Sequence, residues 1–174
     1  MFYKNTELIT WSDTFSCGVK LIDDHHKELV RLVNEMFRHV TGDEKQEYDY
    51  FNQVIEKAIE YIKVHFSTEE KIMLTTKFLG YSAHKRVHDS FIITVNEHIM
   101  DLSSGKRLSL FSFTKFLKDW ILSHIAVMDK QYFEYLRRTA TRKADGNFSI
   151  TSADVQSAAG TNRIMAPKKL QQSA

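Results

Sequence analysis

The chain has 174 residues, and its 24 Lys and Arg against 22 Asp and Glu leave a formal net charge of +2. That length fits one domain with a core large enough to stand without cross-links, and balanced, dispersed charge speaks against nucleic acid as a partner. No apolar run approaches the ~20 residues needed to span a bilayer, so no membrane role is expected, and the lone Cys17, which can form no internal disulfide, fits a reducing, cytoplasmic setting.

The first residues, "MFYKNTELITWSDTF", lack a basic region followed by an apolar run, so no secretory leader is expected. Residues 1–18 read as an N-terminal arm. An apolar stripe then runs Ile22, His26, Leu29, Val33, Met36, Val40, in steps of 4, 3, 4, 3 and 4, which is one face of a helix. Thr41-Gly42 stops it, and Asp43 with Gln46 predicts a capping box that opens the next helix. The second stripe is Phe51, Ile55, Ala58, Ile62, His65, Glu69, Met73. It breaks near "FLGYS", where Gly80 is expected as the C-cap and Ser82 as the next N-cap.

The third stripe is His84, His88, Phe91, Val95, Ile99, Leu102, ended by "SSGKR". The fourth runs Leu110, Phe113, Leu117, Trp120, Ile121, His124, Met128, Tyr132, Tyr135. No segment alternates with period two, and the chain holds a single proline, so the expected fold is all-α: an antiparallel up-down-up-down four-helix bundle over residues 1–138. Beyond Arg138 the periodicity is lost in a polar, Ala- and Ser-rich stretch. Residues 139–174 read as a mostly disordered tail, with a short docking helix at 154–159 as the alternative.

His26, His65, His84, His88, His124 and Glu69 sit on stripes that otherwise face a core. His65 and Glu69 are one turn apart, as are His84 and His88. Asp129 follows His124 by five residues, about 140° further round a regular helix and near the core's edge. Antiparallel packing brings early positions of helices one and three to late positions of helices two and four, so all seven groups converge at one end. A single core histidine is ordinarily a hydrogen-bonded structural residue, and His25, His39, His98 and Glu70 are read in that ordinary way, Glu70 as a solvated edge residue. Five imidazoles buried together would lack acceptors, which points to a metal site. The donors exceed what one tetrahedral zinc accepts. Imidazole with carboxylate suits iron, manganese, copper or zinc, and a carboxylate can bridge two ions.

The stretches "WSDTFSCGVKLIDDHHKELVRLVN", "YIKVHFSTEEKIM", "GYSAHKRVH" and "WILSHIAVMD" resemble the hemerythrin family, in the family's order, over about residues 11–136. The resemblance implies two iron ions per chain with an oxo or hydroxo bridge. His84, His88 and His124 would bind one iron, His26 and His65 the other, and Glu69 and Asp129 would bridge them. The family usually has Gln where this chain has His25, and stripe and motif register both select His26. Phe66, Trp120 and Ile121 are expected to line an apolar oxygen pocket, with ordinary bundle core as the alternative for all three and of equal weight for Phe66.

The implied function is reversible dioxygen binding for storage, delivery or scavenging, without enzymatic turnover. The alternatives are an oxygen or redox sensor module and a di-iron peroxidase. The implied partners are dioxygen and an oxygen-using client protein, and the chain is expected as a monomer or small homo-oligomer.

Overall fold

A computed structural model describes residues 6–103 and 109–143, and among these there is no strand. The helices are α1 (Lys20–Arg38), α2 (Glu44–Thr75), α3 (Tyr81–Ser103), α4 (Leu110–Ser123) and α5 (Lys130–Lys143). A π-helical segment, His124–Asp129, joins α4 to α5 without a break, so three pieces make one fourth rod. That rod runs to Lys143, past Arg138, where the apolar stripe ends. The rest of the expected tail, including the alternative helix at 154–159, lies outside the described residues.

The rods pack as the stripes require. Ring contacts give their directions. Late α1 meets early α4 at Phe37–Phe111 (6.2 Å), and late α3 meets early α4 at His98–Phe113 (5.7 Å), so the fourth rod runs antiparallel to both. Early α2 meets early α4 at Phe51–Phe113 (5.1 Å), so these two run parallel. Every residue of the predicted α2 stripe is buried. Each large apolar side chain taken fully out of water contributes roughly 1.5–3 kcal/mol before entropy is counted. Among the described residues, no helix is long and apolar enough to cross a membrane.

The turns follow local chemistry. Gly42 takes φ +80 after α1, and the Glu47 carboxylate accepts from the N–H groups of Thr41 and Gly42 (2.8 and 2.7 Å). Asp43 caps α2 by accepting from the Gln46 N–H at 3.0 Å. Only half of the predicted capping box forms. The Gln46 amide donates back to the Asp43 carboxylate, and the Asp43 N–H donates to the Thr41 hydroxyl.

The turn after α2 differs from the expected one. Its left-handed residue is Lys77 (φ 53), and Gly80 is not the C-cap. The Phe78 N–H reaches the Met73 carbonyl and the Lys77 N–H reaches that of Leu74, the paired bonds of a Schellman ending. Gly80 opens α3 in place of Ser82, its carbonyl accepting from the His84 N–H at 3.0 Å. Its missing Cβ makes room for the Phe78 ring, which a side chain there would meet at 2.6 Å.

The arm is anchored by two polar clasps. Asp23 accepts from the Cys17 N–H and the Ser16 hydroxyl, both at 2.7 Å. Buried Asn34 on α1 accepts from the N–H groups of Leu8 and Ile9 (2.9 Å each) and donates to the Ile9 carbonyl at 2.7 Å. Ile9 is thereby seated in the core. Replacing Asn34 by Ala strands these backbone groups, at a cost of roughly 1–3 kcal/mol. Urea unfolding checks this; a change within about 0.5 kcal/mol, as at an ordinary surface site, contradicts it.

Candidate metal centre

The seven predicted polar groups come together. His26 is supplied by α1, His65 and Glu69 by α2, His84 and His88 by α3, and His124 and Asp129 by the π-helical segment. All seven are buried, Glu69 and Asp129 to 0% exposure. The π-helical winding accounts for Asp129. Its i→i+5 pattern brings residue i+5 back toward residue i, so Asp129 swings inward, toward the side of His124, from the position a regular helix would give it. Its Oδ1 lies 3.1 Å from Nε2 of His124.

The side chains form two groups that share Glu69. Glu69, His84, His88 and His124 offer ligand atoms within 4.8 Å of one another, and so do His26, His65, Glu69 and Asp129. Asp129 touches both groups. Its Oδ2 is 3.2 Å from Nε2 of His26, and its Oδ1 is 3.2 Å from Nε2 of His84. Glu69 does the same. Its Oε1 lies 3.8 Å from Nε2 of His26, and its Oε2 lies 3.8, 3.8 and 3.4 Å from those of His65, His84 and His88.

These atoms suit a cation and little else. Both oxygens of Glu69 and Asp129, and Nε2 of His26, His65 and His84, are buried with no hydrogen-bond partner. Unpaired buried polar atoms are expensive, and here they cluster with their lone pairs converging. Nε2 of His88 and Nε2 of His124 face each other at 2.9 Å. The His88 Nδ1 lies 3.1 Å from the Glu70 carboxylate, which can only accept, so Nδ1 carries the proton and Nε2 carries a lone pair. The donor set of imidazoles and shared carboxylates fits a pair of divalent ions such as iron.

Electrostatics point the same way. Burial resists charge on His26 and on His84, yet the facing carboxylates of Asp129 and Glu69 hold each pKa up at about 9. Burial pushes His65 down to about 3. Burial also opposes ionisation of Glu69 and Asp129, but the surrounding imidazoles keep both carboxyls well below their usual range. Without a metal, protons on His26 and His84 would balance the two carboxylates.

The surroundings are aromatic. Phe66 stacks on His88 at 3.8 Å and 3°, and Trp120 stacks on His124 at 4.3 Å and 14°. Phe66 and Trp120 lie 5.5 Å apart, and buried Ile121 belongs to the same core. His25, read from sequence as an ordinary helix residue, is buried edge-on between Tyr61 and His65, at 5.8 and 5.7 Å. It lies outside both ligand groups. Fully buried Tyr132 sits 6.3 Å from His84. Glu70, read as solvated, is instead the partner of His88. The two are eighteen residues apart across the α2–α3 hairpin, a register that alone would have found the pair.

The family of the hemerythrin HHE cation binding domain matches residues 17–136. The bacteriohemerythrin of Pseudomonas aeruginosa (strain LESB58) is 28% identical over 131 residues, covering 75% of this chain and 83% of that protein. The myohemerythrin of Sipunculus nudus is 28% identical over 122 residues, covering 70% of this chain and 88% of that protein. A crystal structure of a hemerythrin point mutant superposes with a TM-score of 0.66 at 27% identity, covering 74% of this chain and 97% of that one.

Metal uptake must displace the protons that His26 and His84 hold. Their pKa values rise from 6.5 to about 9 on folding, so the stabilisation they give a metal-free chain is fully present below pH 6.5 and is lost as pH rises through about 9. Between those values, adding ferrous ion anaerobically to metal-free protein is expected to release protons and raise the unfolding temperature. A pH-stat titration reads the release; uptake of metal with no proton release contradicts the assignment.

Proposed function

This chain belongs to the hemerythrin family, and from that premise we propose that it binds dioxygen reversibly at a pair of iron ions held by its buried imidazoles and carboxylates. The observation that carries the reading is the sharing of Glu69 between two four-residue groups. His84, His88 and His124 would hold one ion, and His26 and His65 the other. Glu69 and Asp129 would span both, with a solvent-derived oxo or hydroxo bridge. The two-histidine side has fewer protein donors, which leaves room there for dioxygen. Two ferrous ions would supply the two electrons needed to capture one dioxygen.

The remaining work falls to the chain itself. The carboxylates offset much of the metals' charge inside an apolar core, where uncompensated charge is costly. Phe66, Trp120 and Ile121 would keep water and protons from the site, which favours release of oxygen over loss of the ferrous state. The ligand set also speaks against oxygen activation. Carboxylate-rich di-iron oxidases of the ferritin type draw on Glu-x-x-His pairs, and no such pair occurs in this sequence.

Purified protein is expected to carry about two irons per chain, the number its two ligand groups would hold. Anaerobic reduced protein should gain a visible absorption band on exposure to oxygen and lose it under vacuum, over repeated cycles. A band that never reverses, or steady consumption of peroxide with an added reductant, contradicts carriage and favours a peroxidase. His124→Ala should lower iron content and thermal stability together, since metal binding is linked to folding.

A further inference from the structure

Of the imidazoles at the centre, His88 is clamped at both its face and its outer edge. The Phe66 ring covers its face at 3.8 Å. The Glu70 carboxylate meets its Nδ1 at 3.1 Å. By contrast, Nδ1 of His26, His65 and His124 is buried with no hydrogen-bond partner. Glu70 is itself held in place. Its second oxygen lies 3.7 Å from Nζ of Lys85, which also pairs with Asp89 at 2.7 Å. The pair forms part of the wall of a cavity of about 390 Å³ between α2 and α3, lined by Lys63, Phe66, Ser67, Glu70, His88 and Asp89 among others. An anion therefore stands behind one ligand of the three-histidine group, near the molecular surface.

We propose that Glu70 is a positioning residue of the metal centre: it takes the Nδ1–H of His88, fixes the tautomer that presents Nε2 inward, and makes this imidazole a stronger donor than its neighbours. This rests on His88 being a metal ligand, as read above. A carboxylate behind a ligating imidazole orients the ring and raises its basicity. The charge it adds favours the ferric over the ferrous ion on the three-histidine side. The two sides of the centre are thereby unequal in redox preference as well as in ligand number. Lys85, whose ammonium bonds Asp89, lies 3.7 Å from the second Glu70 oxygen and places a positive charge beside it.

The test compares iron-loaded full-length protein with Glu70→Gln and Glu70→Ala. Glu70→Ala should hold iron on the order of 10- to 100-fold more weakly than the parent, the usual cost of removing such a partner, and so lose it faster to a ferrous chelator. Glu70→Gln keeps the shape and an acceptor oxygen but not the charge. It should keep its iron nearer the parent's rate, raise the reduction potential, and move one exchangeable imidazole N–H resonance in the proton NMR spectrum. Should Glu70→Ala fail to fold, the Gln variant carries the test by potential and NMR. Variants that hold two irons with the parent's release rate, potential and N–H spectrum overturn the proposal. A parent protein without iron, or a His88→Ala variant that binds iron as the parent does, would instead overturn the ligand assignment on which it rests.

Discussion

Two carboxylates with no exposure at all, facing five imidazole rings in an apolar interior, set the terms for the rest of this molecule. Burying such groups costs several kcal/mol per charge unless each finds a partner. Among themselves these partners close only in part, through the hold of the carboxylates on the His26 and His84 imidazoles. Carboxylate oxygens and ring nitrogens are left without hydrogen bonds, pointing at one another across a small volume. Cations in that volume would convert the cost into binding energy. For these donors to meet, four rods must deliver them to one depth.

That requirement explains features that packing alone would not. A regular fourth helix would carry His124 and Asp129 to different faces; the π-helical segment puts both on the centre at the price of a locally poorer ladder. The long α2, 32 residues, lets one helix reach both the far core at Phe51 and the centre at Glu69. The Schellman ending at Lys77 turns the chain sharply enough that α3 begins almost at once, so His84 and His88 fall beside Glu69 and Glu70. The hydrophobic residues between these points then do ordinary work. Phe66 and Trp120 cover the ring faces, and Ile121 packs in the same core.

Much of this was legible in the sequence because helical periodicity is a strong signal and polar residues on an apolar stripe break it visibly. Six polar residues stand out on the stripes that way, Asp129 enters from the core's edge by its spacing from His124, and the structure brings all seven side chains together at one end. What escaped were features without a periodic signature. The change of winding at His124–Asp129 has no compositional mark; only the five-residue spacing between two donor residues hints at it. Glu70 stands next to Glu69 but reaches across the hairpin to His88, so it is visible only once the α2–α3 register is known. Asn34 lies off the apolar stripe, and its role shows only once the arm is laid against it. Gly80 drew attention as the residue most tolerant of a left-handed backbone, yet Lys77 takes that conformation and Gly80 serves a close approach by Phe78. His25 shows that a residue about 100° off the stripe can still be buried when a neighbouring helix passes over it.

In the proposed centre the converging lone pairs enclose two iron ions bridged by the same two carboxylates. Anomalous diffraction at the iron edge, from crystals of anaerobically iron-loaded protein, tests it most directly. Two iron peaks are expected, one among the Nε2 atoms of His84, His88 and His124 and one between those of His26 and His65, with Glu69 and Asp129 in contact with both. A single peak, or iron bound elsewhere with these side chains paired only to one another, would contradict it.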